Sequence, residues 1–130
     1  MGGLLISSFI ERTQWLRNED IHLILQPMTH IEELRRTLFD NGFVIDREVV
    51  AKDGDKLYII LSVYFYKGQT AYTDLDLIVG KLPHNNDDLS KEYLKKIYDK
   101  YNKKLVALKN ADKECSELEK TVEELKQWQL

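Results

Sequence analysis

The stretch Leu23-Ile24-Leu25-Gln26-Pro27-Met28 decides the fold. Three consecutive apolar residues without polar alternation predict a short strand covered on both faces. Gln26 follows, with an amide that both donates and accepts hydrogen bonds. Pro27 removes the next backbone donor and ends the ladder. In open α/β sheets, ligands sit beyond the carboxyl ends of the strands, so Gln26 marks the place to look for function.

Working outward, a helix is predicted from Leu4 to about Leu16, with Leu5, Phe9, Ile10, Thr13 and Leu16 on one stripe. Beyond Pro27, Thr29 is the expected N-cap of a second helix whose apolar face is Ile31, Leu34, Leu38 and Phe39. Asn41-Gly42 stops it. Phe43 to Val50 alternates roughly in period two, Lys52-Asp53-Gly54-Asp55 reads as a hairpin turn, and Leu57 to Tyr66 is a long apolar strand closed by Lys67-Gly68-Gln69. Between Tyr72 and Pro83 the pattern favours a short helix over an extended segment. The order helix, strand, helix, hairpin predicts an α/β fold with an antiparallel hairpin at one edge of the sheet.

Residues 83–88 form a polar boundary, and Leu89 to Trp128 contains no Gly or Pro. Apolar residues recur in steps of three and four at Leu94, Ile97, Tyr101, Leu105 and Leu108, then at Cys115, Leu118, Val122 and Leu125. The phase allows one long helix. An antiparallel helical hairpin turning at Asn110-Ala111-Asp112 is preferred, because a lone helix would leave its seam in water. The expected domains are 1–82 and 83–130. Lys91, Lys95, Lys96, Lys100, Lys103 and Lys104 make the first arm basic; Glu114, Glu117, Glu119, Glu123 and Glu124 make the second acidic.

The 130 residues suffice for one ordinary domain, and 43% hydrophobic with 32% charged residues is a globular composition. A net charge of −3 favours no partner, so nucleic-acid or membrane binding would have to come from local patches. The lone cysteine, Cys115, excludes an intrachain disulfide and reads as a small residue on the seam. The N-terminal apolar run has no basic region before it and falls short of the roughly 20 residues that span a bilayer, so a soluble cytoplasmic protein is expected. There is no Gly-x-Gly-x-x-Gly, phosphate loop, Cys-x-x-Cys or His-Glu-x-x-His. His30 and Glu33 share a predicted helix face, but two ligands make a poor metal site and none is expected.

Several stretches, in this order, resemble one family: Met1-Gly2-Gly3 before Leu4-Leu5-Ile6, Leu23-Ile24-Leu25-Gln26-Pro27, Leu34-Arg35, Asn41-Gly42-Phe43, Asp53-Gly54-Asp55-Lys56 and Tyr58-Ile59-Ile60. Together they resemble the C-terminal part of the bacterial tRNA (adenine-22-N1)-methyltransferases. The resemblance implies the end of a Rossmann-like class I methyltransferase sheet followed by a coiled-coil hairpin. It also implies S-adenosylmethionine as cofactor and tRNA as partner. Gln26 and Pro27 would form the catalytic wall, with Gln26 reading the edge of the adenine and Pro27 shaping the turn. Gly2 and Gly3 would let backbone approach the cofactor. Arg35, Arg36, Lys91, Lys95, Lys96 and Lys100 would contact tRNA phosphates.

Two residues depart from the family pattern: Met28 stands where the family usually has Asn, and Thr37 where it tends to have Trp. The family's Gly-Met-Gly-Gly lies after a fourth strand, whereas its Met is residue 1 here. The cofactor loop and acidic ribose-binding residue have no counterpart in these residues. The expectation is a truncated chain, inactive alone, with an exposed sheet edge and helix face that invite self-association there or through the coiled coil. The competing reading is a non-catalytic RNA-binding or coiled-coil interaction module.

Overall fold

The computed structural model describes residues 1–66 and 70–129. The predicted strand end at Lys67-Gly68-Gln69 lies outside them. The chain divides into two compact units, Met1–Lys81 and Leu82–Leu130.

In the first unit, helix α1 (Gly3–Arg12) and a 3-10 turn (Gln14–Leu16) lead into strand β1 (His22–Leu25). Helix α2 (Ile31–Asp40), strands β2 (Phe43–Asp53) and β3 (Lys56–Phe65), and helix α3 (Asp74–Val79) follow. The sheet order is β1-β3-β2 and both pairings are antiparallel. The long apolar strand β3 is thus central, and β1 and β2 are the two edges. Ile59, Leu61 and Val63 of β3 are buried on one face, and Leu23 and Leu25 pair opposite Val63 and Leu61 on that face. Ile24 points the other way and is 69% exposed. The prediction of a strand covered on both faces is therefore corrected: an apolar run sets strand character but does not say which faces are covered. Among the described residues β1 pairs only with β3, so its outer edge is free.

Local signals explain most boundaries. Gly54 at φ +61 starts the two-residue turn between Asp53 and Lys56, and a glycine is favoured there. Thr73 and Asp76 form a reciprocal capping box at the start of α3. Thr29 does not cap α2. His30 takes the N-cap position in the left-handed region (φ 54, ψ 46) with no side-chain cap. The first helix stops at Arg12 rather than Leu16, and the rest of its expected length is the 3-10 turn.

A bulge sets the chemistry of β2. Ile45 pairs with Val63 and Arg47 with Ser62, leaving Asp46 as the extra residue. The insertion shifts the alternation by one, so Phe43 and Ile45 are buried before it, and Glu48 and Val50 after it.

The second unit opens with a 3-10 turn (Leu82–His84) and continues in helices α4 (Asp88–Asn110) and α5 (Ser116–Lys126). Asp87 caps α4: its carboxylate accepts from the Ser90 N–H at 3.0 Å and from the Ser90 hydroxyl at 2.7 Å. The break falls at the expected Asn110-Ala111-Asp112, with Asp112 at φ 53. Leu94, Leu105, Val122 and Leu125 are buried. At one end Lys109 meets Glu119 (3.0 Å), and at the other the Gln129 amide donates to the Leu94 carbonyl (3.3 Å). Cys115 is half-buried at the N-cap of α5, not inside a helix.

Candidate functional site

The carboxyl end of β1 is built against the start of α1. Gln26 is exposed and its side chain makes no hydrogen bond among the described residues; Pro27 beside it is buried. The Met28 N–H donates to the Met1 carbonyl (3.0 Å), and the Gly3 N–H donates to the Thr29 carbonyl (2.7 Å). A Cβ on Gly3 would collide with the Thr29 and His30 carbonyls, and one on Gly2 would lie 2.8 Å from the Thr29 hydroxyl oxygen. The two glycines and the Gln26-Pro27 turn, far apart in sequence, therefore share one corner. The close approach that requires glycine is to the Thr29-His30 backbone, and the Gly3 N–H is already bonded there. The left-handed His30 completes the turn. Met1 and Met28 flank the corner with exposed side chains.

Arg35 is not a surface cation. It is 1% exposed, and its guanidinium donates to Glu48 (2.6 Å) and to the Leu77 (2.6 Å) and Ile78 (3.0 Å) carbonyls. A buried charge is tolerated only when paired and hydrogen-bonded, and here every one of these partners lies inside the unit. Its expected contact with tRNA phosphates is thus corrected. Arg36, one residue on, is exposed.

Lys91, Lys95, Lys96 and Lys100 are all exposed and make no ion pair among the described residues. At about 100° per residue, Lys96 and Lys100 join Lys103 and Lys104 in an arc turned away from the Leu94 and Leu105 stripe. Lys91 and Lys95 fall on a different flank of the helix. The basic arm is therefore two clusters, not one. Among the described residues the acidic arm pairs with neither, and Glu119 joins Lys109 instead (3.0 Å).

Sequence reasoning missed Glu48 and Gly80. Glu48 Oε1 holds Arg35, and its Oε2 accepts from the Lys81 N–H (3.1 Å). Gly80 sits at φ +55, where a Cβ would collide with the Glu48 carboxylate and lie 2.7 Å from Arg35 Nε. The available signal was the charged run Asp46-Arg47-Glu48 inside a strand, which interrupts the alternation at the bulge.

The family model for tRNA (adenine(22)-N(1))-methyltransferase, TrmK, matches residues 1–127. The chain belongs to this family. It is 33% identical over 112 residues to a Mycoplasma pneumoniae protein provisionally named a tRNA methyltransferase, covering 85% of this chain and 50% of that one. It is similar to a crystal structure from Streptococcus agalactiae in the NADB-Rossmann superfamily (27% identity, TM-score 0.78, covering 100% of this chain and 57% of that one). It is also similar to Streptococcus pneumoniae Sp1610, provisionally a tRNA (m1A22) methyltransferase, solved with S-adenosyl-L-methionine (25% identity, TM-score 0.75, covering 100% of this chain and 57% of that one). The TrmK chain described here thus spans half the length of the curated relative and somewhat over half that of the solved ones. The fold is mixed α/β and Rossmann-like, with a small antiparallel sheet. Among the described residues no helix is long and apolar enough to cross a membrane, and no three or more His, Cys, Asp or Glu gather to hold a metal ion.

Proposed function

We propose that these residues form the substrate-facing part of an S-adenosylmethionine-dependent methyltransferase acting on N1 of a tRNA adenine. The observation that carries this reading is the exposed amide of Gln26, held at the carboxyl end of β1 by Pro27 and by the bonds tying Met28 and Thr29 to Met1 and Gly3. Membership of the family supplies the reaction class.

N1 of adenine is occupied in a base pair, so the base must be unpaired or flipped before it reacts. Once free it is nucleophilic, and the protein's task is alignment more than acid–base chemistry. Gln26 is the orienting group: its amide donates to one position on the adenine edge and accepts from another. Pro27 does no chemistry and fixes the direction of that amide. S-adenosylmethionine supplies the methyl group when bound. Fit to the cofactor is partial here. Gly2 can border it, whereas Gly3 is buried with its N–H already bonded. We therefore expect these 130 residues alone to hold the cofactor weakly and to be inactive without the rest of the pocket. Micromolar binding of S-adenosylmethionine by calorimetry would contradict that part.

Residues 83–130 form the tRNA-docking domain of this proposal, with α4 and α5 as an antiparallel coiled-coil hairpin, and residues 1–82 form the methyltransferase part. Exposed Lys96 and Lys100, which make no ion pair among the described residues, meet phosphates with Lys103 and Lys104, and Lys91 and Lys95 offer a second track; exposed Arg36, in the first unit, offers a phosphate contact of its own. The test compares tRNA carrying adenine 22, the position in the family's name, with the same tRNA carrying guanine there. Wild type should prefer adenine by about fivefold or more, and Gln26→Ala should abolish the preference. Equal affinity of the wild type for both RNAs, with tight binding, would instead support a non-catalytic RNA-binding module.

A further inference from the structure

Gln26 and Met28 are exposed on either side of a buried residue, Pro27. The alternation puts an amide and a thioether on the solvent side of one turn. Pro27 roots that turn in the interior of the sheet unit, and the Met28 N–H is held by the Met1 carbonyl (3.0 Å). The Thr29 carbonyl, one residue on, is held by the Gly3 N–H (2.7 Å). The backbone of residues 27–29 is thus tied down at three successive points, while the Met28 side chain stays 52% exposed.

The two side chains meet different needs of one flat ligand. An amide bonds in the plane of a base, at its edge. A hydrogen bond tolerates a broad range of angles at its acceptor, so an edge contact alone leaves the ring free to tilt. The N1 lone pair lies in the ring plane, and a tilt turns it away from the methyl group it attacks. A contact on the ring face removes that freedom. Methionine suits such a contact, because its thioether is polarisable and packs well against aromatic rings, and its unbranched chain adapts to the surface it meets.

We propose that the Met28 thioether covers one face of the target adenine and sets its tilt, while Gln26 holds the edge. This rests on the adenine reading above. Met28 forms no bond and moves no proton during methyl transfer; it acts by packing.

The test is oxidation of the full chain by hydrogen peroxide, which converts an accessible thioether to its sulfoxide. Met28 is the single methionine between Arg17 and Arg35, so the tryptic peptide of residues 18–35 reports it by mass. The protein is saturated with tRNA carrying adenine 22, or with the same tRNA abasic at that position. The adenine tRNA should slow oxidation of Met28 about fivefold or more, and the abasic tRNA less than about twofold. Met28→Ala should weaken binding of the adenine tRNA about fivefold or more and leave the abasic tRNA unchanged, whereas Met28→Leu should stay within about twofold of wild type for both. Both substitutions keep the backbone bond to Met1 and alter a side chain already half in solvent, and circular dichroism melts verify that the variants fold. A merely structural role would weaken both RNAs alike, and that result overturns the proposal. So does protection of Met28 that is equal with the two RNAs, or absent with both. Failure of wild type to bind tRNA would sink the tRNA reading and this role with it. Tight binding without base-dependent protection would sink the Met28 role alone.

Discussion

Removing Arg35 alone should be the most damaging single change in the sheet unit. In Arg35→Met, the Glu48 carboxylate, 1% exposed, loses its guanidinium, and the Leu77 and Ile78 carbonyls lose their donors. Breaking one side of a buried pair costs about 3–5 kcal/mol. A unit of this size has a total stability of roughly 4–12 kcal/mol, so about a quarter or more of it would go. Removing both partners strands no charge, and the Arg35→Met/Glu48→Met double variant should lie within about 2 kcal/mol of wild type. The assay is native-state hydrogen exchange at the Ile59, Leu61 and Val63 amides, which are buried in the central strand and report opening of the whole unit. The reasoning fails if Arg35→Met costs less than about 1 kcal/mol, or if the double variant is as unstable as the sum of the singles.

Gly80→Ala should destabilise by about 2 kcal/mol or more, since a Cβ strikes the Glu48 carboxylate and φ is +55; urea unfolding checks this, and a neutral result would refute the close approach. Asp87→Ala should cost the α4 cap about 1 kcal/mol. The Asp87 carboxyl is held below its ordinary value, chiefly by the Ser90 hydrogen bond. A depressed carboxylate stabilises above the unfolded value and loses that contribution as pH falls through the folded one, so the variant's deficit should shrink below about pH 4, as circular dichroism melts would show. Ile24→Lys should leave stability within about 0.5 kcal/mol, because the side chain is already in solvent, and should raise solubility by charging the free edge; a loss above 2 kcal/mol would mean Ile24 is packed.

The strand at Leu23–Leu25, the turn at Gly54 and the break near Ala111 were legible because each rests on a local signal; the short helix after Tyr72 was only favoured over an extended segment, because its Thr73–Asp76 capping box went unread. Burial was not legible. Whether Ile24 faces a core depends on what lies across the sheet, and the apolar run is silent about that. Arg35 was misread for a related reason: a charge on a helix is usually solvated, and only the one-residue bulge at Asp46, which turns Glu48 inward, makes a buried partner for it. The corner joining Gly2-Gly3 to Gln26-Pro27 was legible only through resemblance, since its residues meet by backbone bonds that leave no pattern in the sequence. The separation of Lys91 and Lys95 from Lys96 and Lys100 follows from helical geometry once α4 is in place.

The central claim is that this chain handles tRNA, and the most direct measurement is the salt dependence of its tRNA binding. With Lys96, Lys100, Lys103 and Lys104 on phosphates, log Kobs against log salt should fall with a slope of about −3 to −4. Charge reversal to Glu at Lys96, Lys100 and Lys103 should flatten that slope by about 2 and weaken binding. No binding at low salt, or a slope that the reversal leaves unchanged, would contradict the account.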